Sequence, residues 1–340
     1  MTETFGFLIF TFIVILAFEA VNGWTDAPNA VATVISTRAL PPFVAVAMAA
    51  VLNLVGALSA WYFGSAVAKT IGSGIIDIDK ISAETGGGGL EVAAAAALAV
   101  VLWSSLAAYS GLPTSESHGL VAGLAGAAVG VAGTDVLLVE GWQKVFTGVG
   151  AALVFGFGGA ILVMIVILWL FRRANPSSTR RLFVPLQIAS SAFMAWSHGT
   201  ADGQKAIGVM AFALALWNGT PADEFSVPLW IIFLAAGTMG TATMAGGWRI
   251  IRTLGMRVTH LETYQGFAAE VAAATTLTIT ARMGIPLSTT HTIGSAIMGV
   301  GSTRRLSAVR WGVAYNIVMA WVLTFPICFG LAWAIAVVIT

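Results

Sequence analysis

Gly111–Gly119 reads GLPTSESHG, and Gly284–Thr292 reads GIPLSTTHT. Both follow Gly-apolar-Pro-x-Ser-x-Ser/Thr-His, which sets Pro113 on Pro286, Ser115 on Ser288 and His118 on His291. A second pair precedes them. Gly23–Asn29 (GWTDAPN) matches Gly199–Lys205 (GTADGQK) as Gly-x-x-Asp-x-x-polar, setting Asp26 on Asp202 and Asn29 on Lys205. The prolines of the first pair stand 173 residues apart and the aspartates of the second 176, so both motifs recur in the same order at nearly one offset. Duplicated halves with polar groups at breaks in apolar segments are a plan by which membrane chains build one central site.

Around these motifs the chain is nearly uncharged. Charged residues make up 9% and hydrophobic ones 58% of 340, and the mean hydropathy is +0.91. That is more apolar surface than a water-soluble domain can hide, so an integral membrane protein is expected. A span needs about 20 apolar residues. The runs Phe5 to Val21, Pro42 to Phe63, Val92 to Tyr109, Phe146 to Phe171, Leu182 to Trp196, Trp230 to Gly246 and Val313 to Ile339 stand out. With half-crossings at the motifs they predict an all-helical fold of about ten to twelve membrane segments. The first run lacks a basic flank and a small-residue cleavage site, so it is expected to be a retained span. Cys328 is the single cysteine, which excludes an intramolecular disulfide.

Charge placement gives an expected topology. Arg172, Arg173, Arg180 and Arg181 punctuate the connector FRRANPSSTRR without an acid among them, which places it in the cytoplasm. Counting outward, Asp223 and Glu224 fall outside, while Arg249, Arg252, Arg257, Arg304, Arg305 and Arg310 fall inside. In the first half Arg38 falls inside, and the loop carrying Lys69, Asp77, Asp79, Lys80 and Glu84 falls outside. The spans before Asp26 and Asp202 then run in opposite directions. The expected organisation is a first repeat over 1–171, a cytoplasmic linker over 172–181, and a second repeat of inverted topology over 182–340.

The proline of each hairpin motif ends the preceding helix, and Gly111 and Gly284 permit the turn. Ser115 and Ser288 are good N-caps, so a new helix should start there as a re-entrant hairpin. A helix N-terminus at membrane depth offers unpaired amides and the positive end of a dipole to an anion. Ser115 and Ser117 in one copy, with Ser288, Thr289 and Thr290 in the other, add hydroxyl donors. The competing reading is that these hydroxyls only cap two helices. His118 and His291 fall in the first turn, where hydrogen bonding to the turn is the expected role.

Asp26 and Asp202 are harder to place. A carboxylate in an apolar segment costs about 2.5 to 3.5 kcal/mol on insertion scales and usually marks an ion or proton path. Gly23 and Gly199, with Pro28 in the first copy, suggest that each helix is interrupted there, freeing carbonyls for a hard cation. Asn22, Asn29 and Thr33 add neutral oxygens in the first copy. In the second, Lys205 stands where Asn29 does, and Asp202 can instead simply pair with it. Glu270, followed by VAAATTLTIT, is a candidate for an interior contact, whereas Glu91 flanks a span. The Gly/Ala runs read as close helix packing. No P-loop, HExxH or cysteine cluster occurs, so a metalloenzyme has no support, and the net charge of +1 points to no nucleic acid.

PTSESHGLVAG and PLSTTHTIGS, together with VNGWTDAPNAVATVISTRA and FMAWSHGTADGQKAIGVM, resemble the inorganic phosphate transporter (PiT) family in order and across nearly the whole chain. The resemblance implies inverted repeats, homodimers in the inner cell membrane, and uptake of inorganic phosphate with a proton or sodium gradient, sometimes as a metal phosphate, with no other cofactor. By motif position, its anion site maps to Ser115, Ser117, Ser288, Thr289 and Thr290. Its coupling positions map to Asp26, Asn29 and Asp202, with Gln204 and Lys205 in the same motif. Three residues depart from the family pattern: Thr25 and Ala201 stand where asparagine is common, and Glu116 where a small hydroxyl residue is usual. Glu116 is therefore an added substrate-site candidate that could favour a protonated oxyanion over sulfate. A sulfate permease of the same fold, a passive channel and an intramembrane enzyme using both aspartates remain the alternatives.

Overall fold

The computed structural model describes residues 5–86 and 89–340. Among the described residues fifteen α-helices follow one another: α1 (Phe5–Ser36), α2 (Pro42–Leu58), α3 (Ala60–Phe63), α4 (Ala66–Lys69), α5 (Ile78–Glu84), α6 (Leu90–Tyr109), α7 (Glu116–Ala132), α8 (Val139–Leu153), α9 (Gly159–Leu170), α10 (Pro176–Asn218), α11 (Leu229–Thr243), α12 (Trp248–Arg252), α13 (Thr263–Arg282), α14 (Thr289–Ser302) and α15 (Trp311–Ile339). No strand occurs among the described residues; Ile76 and Leu137 form an isolated bridge. The order repeats. A long helix, a second helix, a short helix closing in a π-turn (Thr70–Gly74, then Thr253–Arg257), a 20-residue helix and a hairpin helix appear twice.

Residues are distributed as lipid demands. Large apolar side chains such as Phe43, Trp61, Leu106 and Trp169 project outward, while Asp26, Glu116, Asp202, Lys205 and Glu270 lie buried among Ala, Val and Ile. A polar interior behind an apolar skin is stable where the outer medium is hydrocarbon. Among the described residues five segments are long and apolar enough to cross: α1, Pro42–Tyr62, α6, Val139–Leu170 and α15; α11 with the stretch to Arg257, bent by 60°, makes a sixth. The larger sequence expectation includes helices of other kinds. At 17 and 14 residues, α7 and α14 are shorter than a span, and α10 and α13 carry polar side chains through their apolar stretches.

The hairpins form where the motifs place them. Gly111 and Gly284 both take φ +69°, a left-handed conformation that closes the turn. Ser115 then caps α7 by accepting from the His118 amide at 3.2 Å, and Ser288 caps α14 from the His291 amide at 3.2 Å. Each turn is braced by the other half: Thr70 Oγ1 donates to the Gly284 carbonyl at 2.8 Å, and Thr253 Oγ1 to the Gly111 carbonyl at 2.8 Å. The hairpin helices also cross over, with α7 packed on α15 and α14 on the π-turn Val154–Gly158 that joins α8 to α9.

One expectation fails. The aspartate helices are not interrupted at Gly23 and Gly199; α1 and α10 run through unbroken for 32 and 43 residues, Pro28 included. Those glycines serve packing instead. A Cβ on Gly23 would come 2.7 Å from the Met239 carbonyl of α11, and one on Gly199 would overlap the Asn53 backbone of α2. Gly247 packs closely on Pro28 and on the Trp24 carbonyl that its ring leaves without an amide partner, where a Cβ would come within 2.9 Å of either. Within the arginine connector, Asn175 caps α10 through the Ser177 amide at 3.0 Å, and Pro176 fits the first helical position, so residues 176–181 form the first turns of that helix.

Candidate functional site

Continuous helix is what aligns the site. In α1, Glu19, Asn22, Asp26, Asn29 and Thr33 are buried at steps of three and four, and so form one polar stripe turned inward. In α10, Gln187, Ser191, His198, Asp202 and Lys205 are buried at spacings of four, seven, four and three, which likewise keeps them on one face, with Ser190 beside them. The stripes face the N-termini of α7 and α14.

The contact centres on Thr289 and Thr290 in the first turn of α14. Thr290 Oγ1 donates to Asp26 Oδ1 at 2.9 Å. Thr289 Oγ1 lies 3.3 Å from Asp26 Oδ2 and 3.1 Å from Asp202 Oδ2, so a single hydroxyl hydrogen serves both carboxylates. Asn29 Nδ2 donates to Thr289 Oγ1 at 3.2 Å and to Thr290 Oγ1 at 3.0 Å. Lys205 Nζ stands 2.7 Å from Asp202 Oδ2. Thr289 and Thr290, assigned to the anion, thus meet Asp26, Asn29 and Asp202, assigned to the cation, in one cluster.

Glu116 enters from the opposite hairpin. Its Oε1 accepts at 2.8 Å from Oγ1 of Thr25, the residue that precedes Asp26 in α1. Its Oε2 is buried without a hydrogen bond. Two of the three departures from the family pattern, Thr25 and Glu116, are therefore partners. Ser117 Oγ donates to the Leu287 carbonyl at 3.1 Å and ties one hairpin to the other. Ser115 and Ser288 accept at the caps, which leaves their own hydroxyl hydrogens to donate elsewhere.

Two sequence candidates lie aside. Gln204 caps α4, its Oε1 accepting from the Val67 and Ala68 amides at 3.0 and 3.4 Å. Asn22 donates to Glu19 Oε2 at 3.3 Å, one turn from Asp26. Glu270 does make an interior contact, accepting from Thr33 and Ser190. The His118 and His291 rings meet each other, centroids 4.4 Å apart, rather than hydrogen-bonding the turns through their side chains.

His198 was missed. Its Nε2 lies 3.5 Å from Asp202 Oδ2 and 3.9 Å from Asp26 Oδ2, and its Nδ1 meets Asn53 Oδ1 at 3.0 Å. Asp26, His198 and Asp202 bring one ligand atom each within 4.8 Å of one another, a set able to surround a small cation. The available signals were the position of His198 four residues before Asp202 and the lone Asn53 in an apolar span.

The sequence profile described as "Phosphate transporter family" matches residues 22–332. The chain belongs to the phosphate transporter family. Among its relatives, a probable low-affinity inorganic phosphate transporter of Rhizobium meliloti (strain 1021) is 39% identical over 325 residues, covering 96% of this chain and 94% of the relative. One of the same description from Bacillus subtilis (strain 168) is 36% identical over 324 residues and covers 94% of each. The solved structure titled "The sodium-dependent phosphate transporter" superposes with a TM-score of 0.88 at 22% identity, over 98% of this chain and 99% of that one. A phosphate transporter family member embedded by many apolar helices is not an enzyme, and the paired-aspartate enzyme weighed from the sequence is set aside.

Proposed function

We propose that this transporter is a secondary active symporter of inorganic phosphate in the inner cell membrane, driven by a proton or sodium gradient. The observation that carries it is that the serine-capped N-terminus of α14 meets Asp26 and Asp202 while that of α7 reaches Thr25, beside Asp26, through Glu116, all of them buried. Helix amides, Ser115, Ser117 and Ser288, together with Thr289 and Thr290 when released from the aspartates, would supply donors to a tetrahedral oxyanion. Asp26, with Asn29 close by, would hold the coupling cation. Asp202 is neutralised by Lys205 and so contributes less charge.

Coupling follows from competition for the same hydroxyls. While a cation is absent, the Asp26 carboxylate occupies the Thr289 and Thr290 hydrogens. A cation bound there releases them toward phosphate. Substrate and cation then favour one occluded state, which is the differential affinity that alternating access requires. With three carboxyls, Asp26, Glu116 and Asp202, against Lys205 and His198, the cluster is suited to an anion that arrives with protons, sodium or a bound metal, as in a metal phosphate complex. The matched order of the halves supports reading 1–171 and 182–340 as inverted repeats about a cytoplasmic linker at 172–181, and homodimeric assembly belongs to the same reading.

Counterflow of labelled phosphate and sulfate in proteoliposomes, with sodium and pH varied separately, tests it. Phosphate exchange and uphill uptake under one imposed gradient are expected. Preference for sulfate would favour the permease alternative, and uptake that never exceeds equilibrium would make the protein a channel.

A further inference from the structure

A second polar feature lies at the end of the molecule where the arginine-rich connector emerges. A cavity of about 710 Å³ opens between the last turn of α9, the start of α10 and the start of α13. Three of its lining residues are cations, Arg172, Arg180 and Arg304, against one acid, Glu262. Glu262 does not consume that charge. Its nearest approach to Arg304 is 3.9 Å with both side chains about half exposed, a separation at which an ion pair adds little. The first turn of α10, a helix of 43 residues, also lines the cavity, so its positive dipole end adds to the guanidinium charge, while the start of α13 is capped by Glu262 itself.

The opposite wall is apolar. It consists of Ile167, Leu168 and Phe171, and beside them Trp169 and Leu170 are 63% and 60% exposed on the outer face of α9. The Arg172 guanidinium stands 5.8 Å over the Trp169 ring, an aromatic and cation pairing typical of the bilayer interface. A free anion would be held by the charge and gain nothing from that wall. We propose that this cavity holds the headgroup of an anionic glycerophospholipid, with its acyl chains lying along α9. A bound headgroup joins Arg172 and Arg180 to Arg304, and so links the connector to the turn that follows α14, the hairpin helix of the transport site.

Native mass spectrometry of delipidated protein, titrated with dioleoyl phosphatidylglycerol, dioleoyl phosphatidylcholine or inorganic phosphate, tests the assignment. One triple variant carries Arg172→Gln, Arg180→Gln and Arg304→Gln. Its control carries Arg173→Gln, Arg181→Gln and Arg305→Gln, which removes equal charge from the neighbouring positions that do not line the cavity. The wild type should prefer phosphatidylglycerol, the lining variant should lose about ten-fold or more in that affinity, and the control should change by less than about three-fold. Equal losses in the two triples would reduce the effect to surface charge and overturn the site. Displacement of the lipid by millimolar phosphate would overturn the lipid assignment in favour of a free anion. Should the lining triple not purify as a monodisperse protein, Arg180→Gln alone is compared with Arg181→Gln for thermal stabilisation by phosphatidylglycerol. Equal stabilisation of those two would have the same adverse meaning.

Discussion

Replacing Lys205 separates the structural and the transporting roles of Asp202. Lys205 Nζ and Asp202 Oδ2 stand 2.7 Å apart at side-chain exposures of 1% and 0%. At an effective dielectric of about 20 their attraction is about 6 kcal/mol, most of which offsets the cost of taking two charges out of water. Lys205→Met removes the attraction and leaves the cost of the carboxylate, a loss of about 3 to 5 kcal/mol. Asp202→Asn strands the ammonium and should cost a similar amount. The double variant removes both charges and should recover most of the stability, a coupling of at least about 3 kcal/mol in the double-mutant cycle. Denaturant unfolding in micelles, followed by tryptophan fluorescence, reads that coupling, and phosphate accumulation in proteoliposomes reads function. Additivity within about 0.5 kcal/mol would refute the buried ion pair. Recovery of transport together with stability would remove Asp202 from the coupling site and leave Asp26 alone in it.

Asp26→Asn should abolish gradient-driven accumulation while the protein stays folded, because an amide neither balances a desolvated cation nor carries a proton; accumulation at the wild-type level would exclude Asp26 as the coupling group. Ser115→Ala and Ser288→Ala should each weaken phosphate binding by about 1.5 to 3 kcal/mol, and unchanged affinity in both would show that the hydroxyls are caps only. In a Cys328→Ser background, Ser177→Cys should react with an impermeant maleimide from the cytoplasmic side alone and Asp223→Cys from the outside alone; labelling of both from one face would overturn the inverted arrangement. Glu116→Gln should raise the inhibition of phosphate uptake by sulfate, since a carboxylate accepts from a protonated oxyanion and repels one that carries no proton. Superimposable sulfate competition curves would eliminate that selectivity role.

The sequence reads well where chemistry and backbone demand the same residue. Pro113 and Pro286 must end a helix, glycine must take the left-handed position of the turn, and serine must cap what comes next, so both hairpins could be placed to within a residue. Gly23 and Gly199 show where such reading stops. Glycine serves equally for a break and for a close helix crossing, and only the partner decides; Met239 and Asn53, far along the chain, are that partner. His198 was hidden for the same reason, because its meaning lies in Asp26 and Asn53 on other helices. Thr25 and Glu116 carry the argument further. Each alone is an isolated departure from a pattern, and 91 residues of chain separate them, yet the fold makes them donor and acceptor beside Asp26. A hydroxyl that caps a carboxylate in a membrane interior stabilises its charge only in part, so Glu116 and Asp26 gain most when one positive charge lies between them. The two departures therefore meet beside the aspartate the duplication singles out, and a test of coupling-ion choice in this chain should change Thr25 and Glu116 together, not either one.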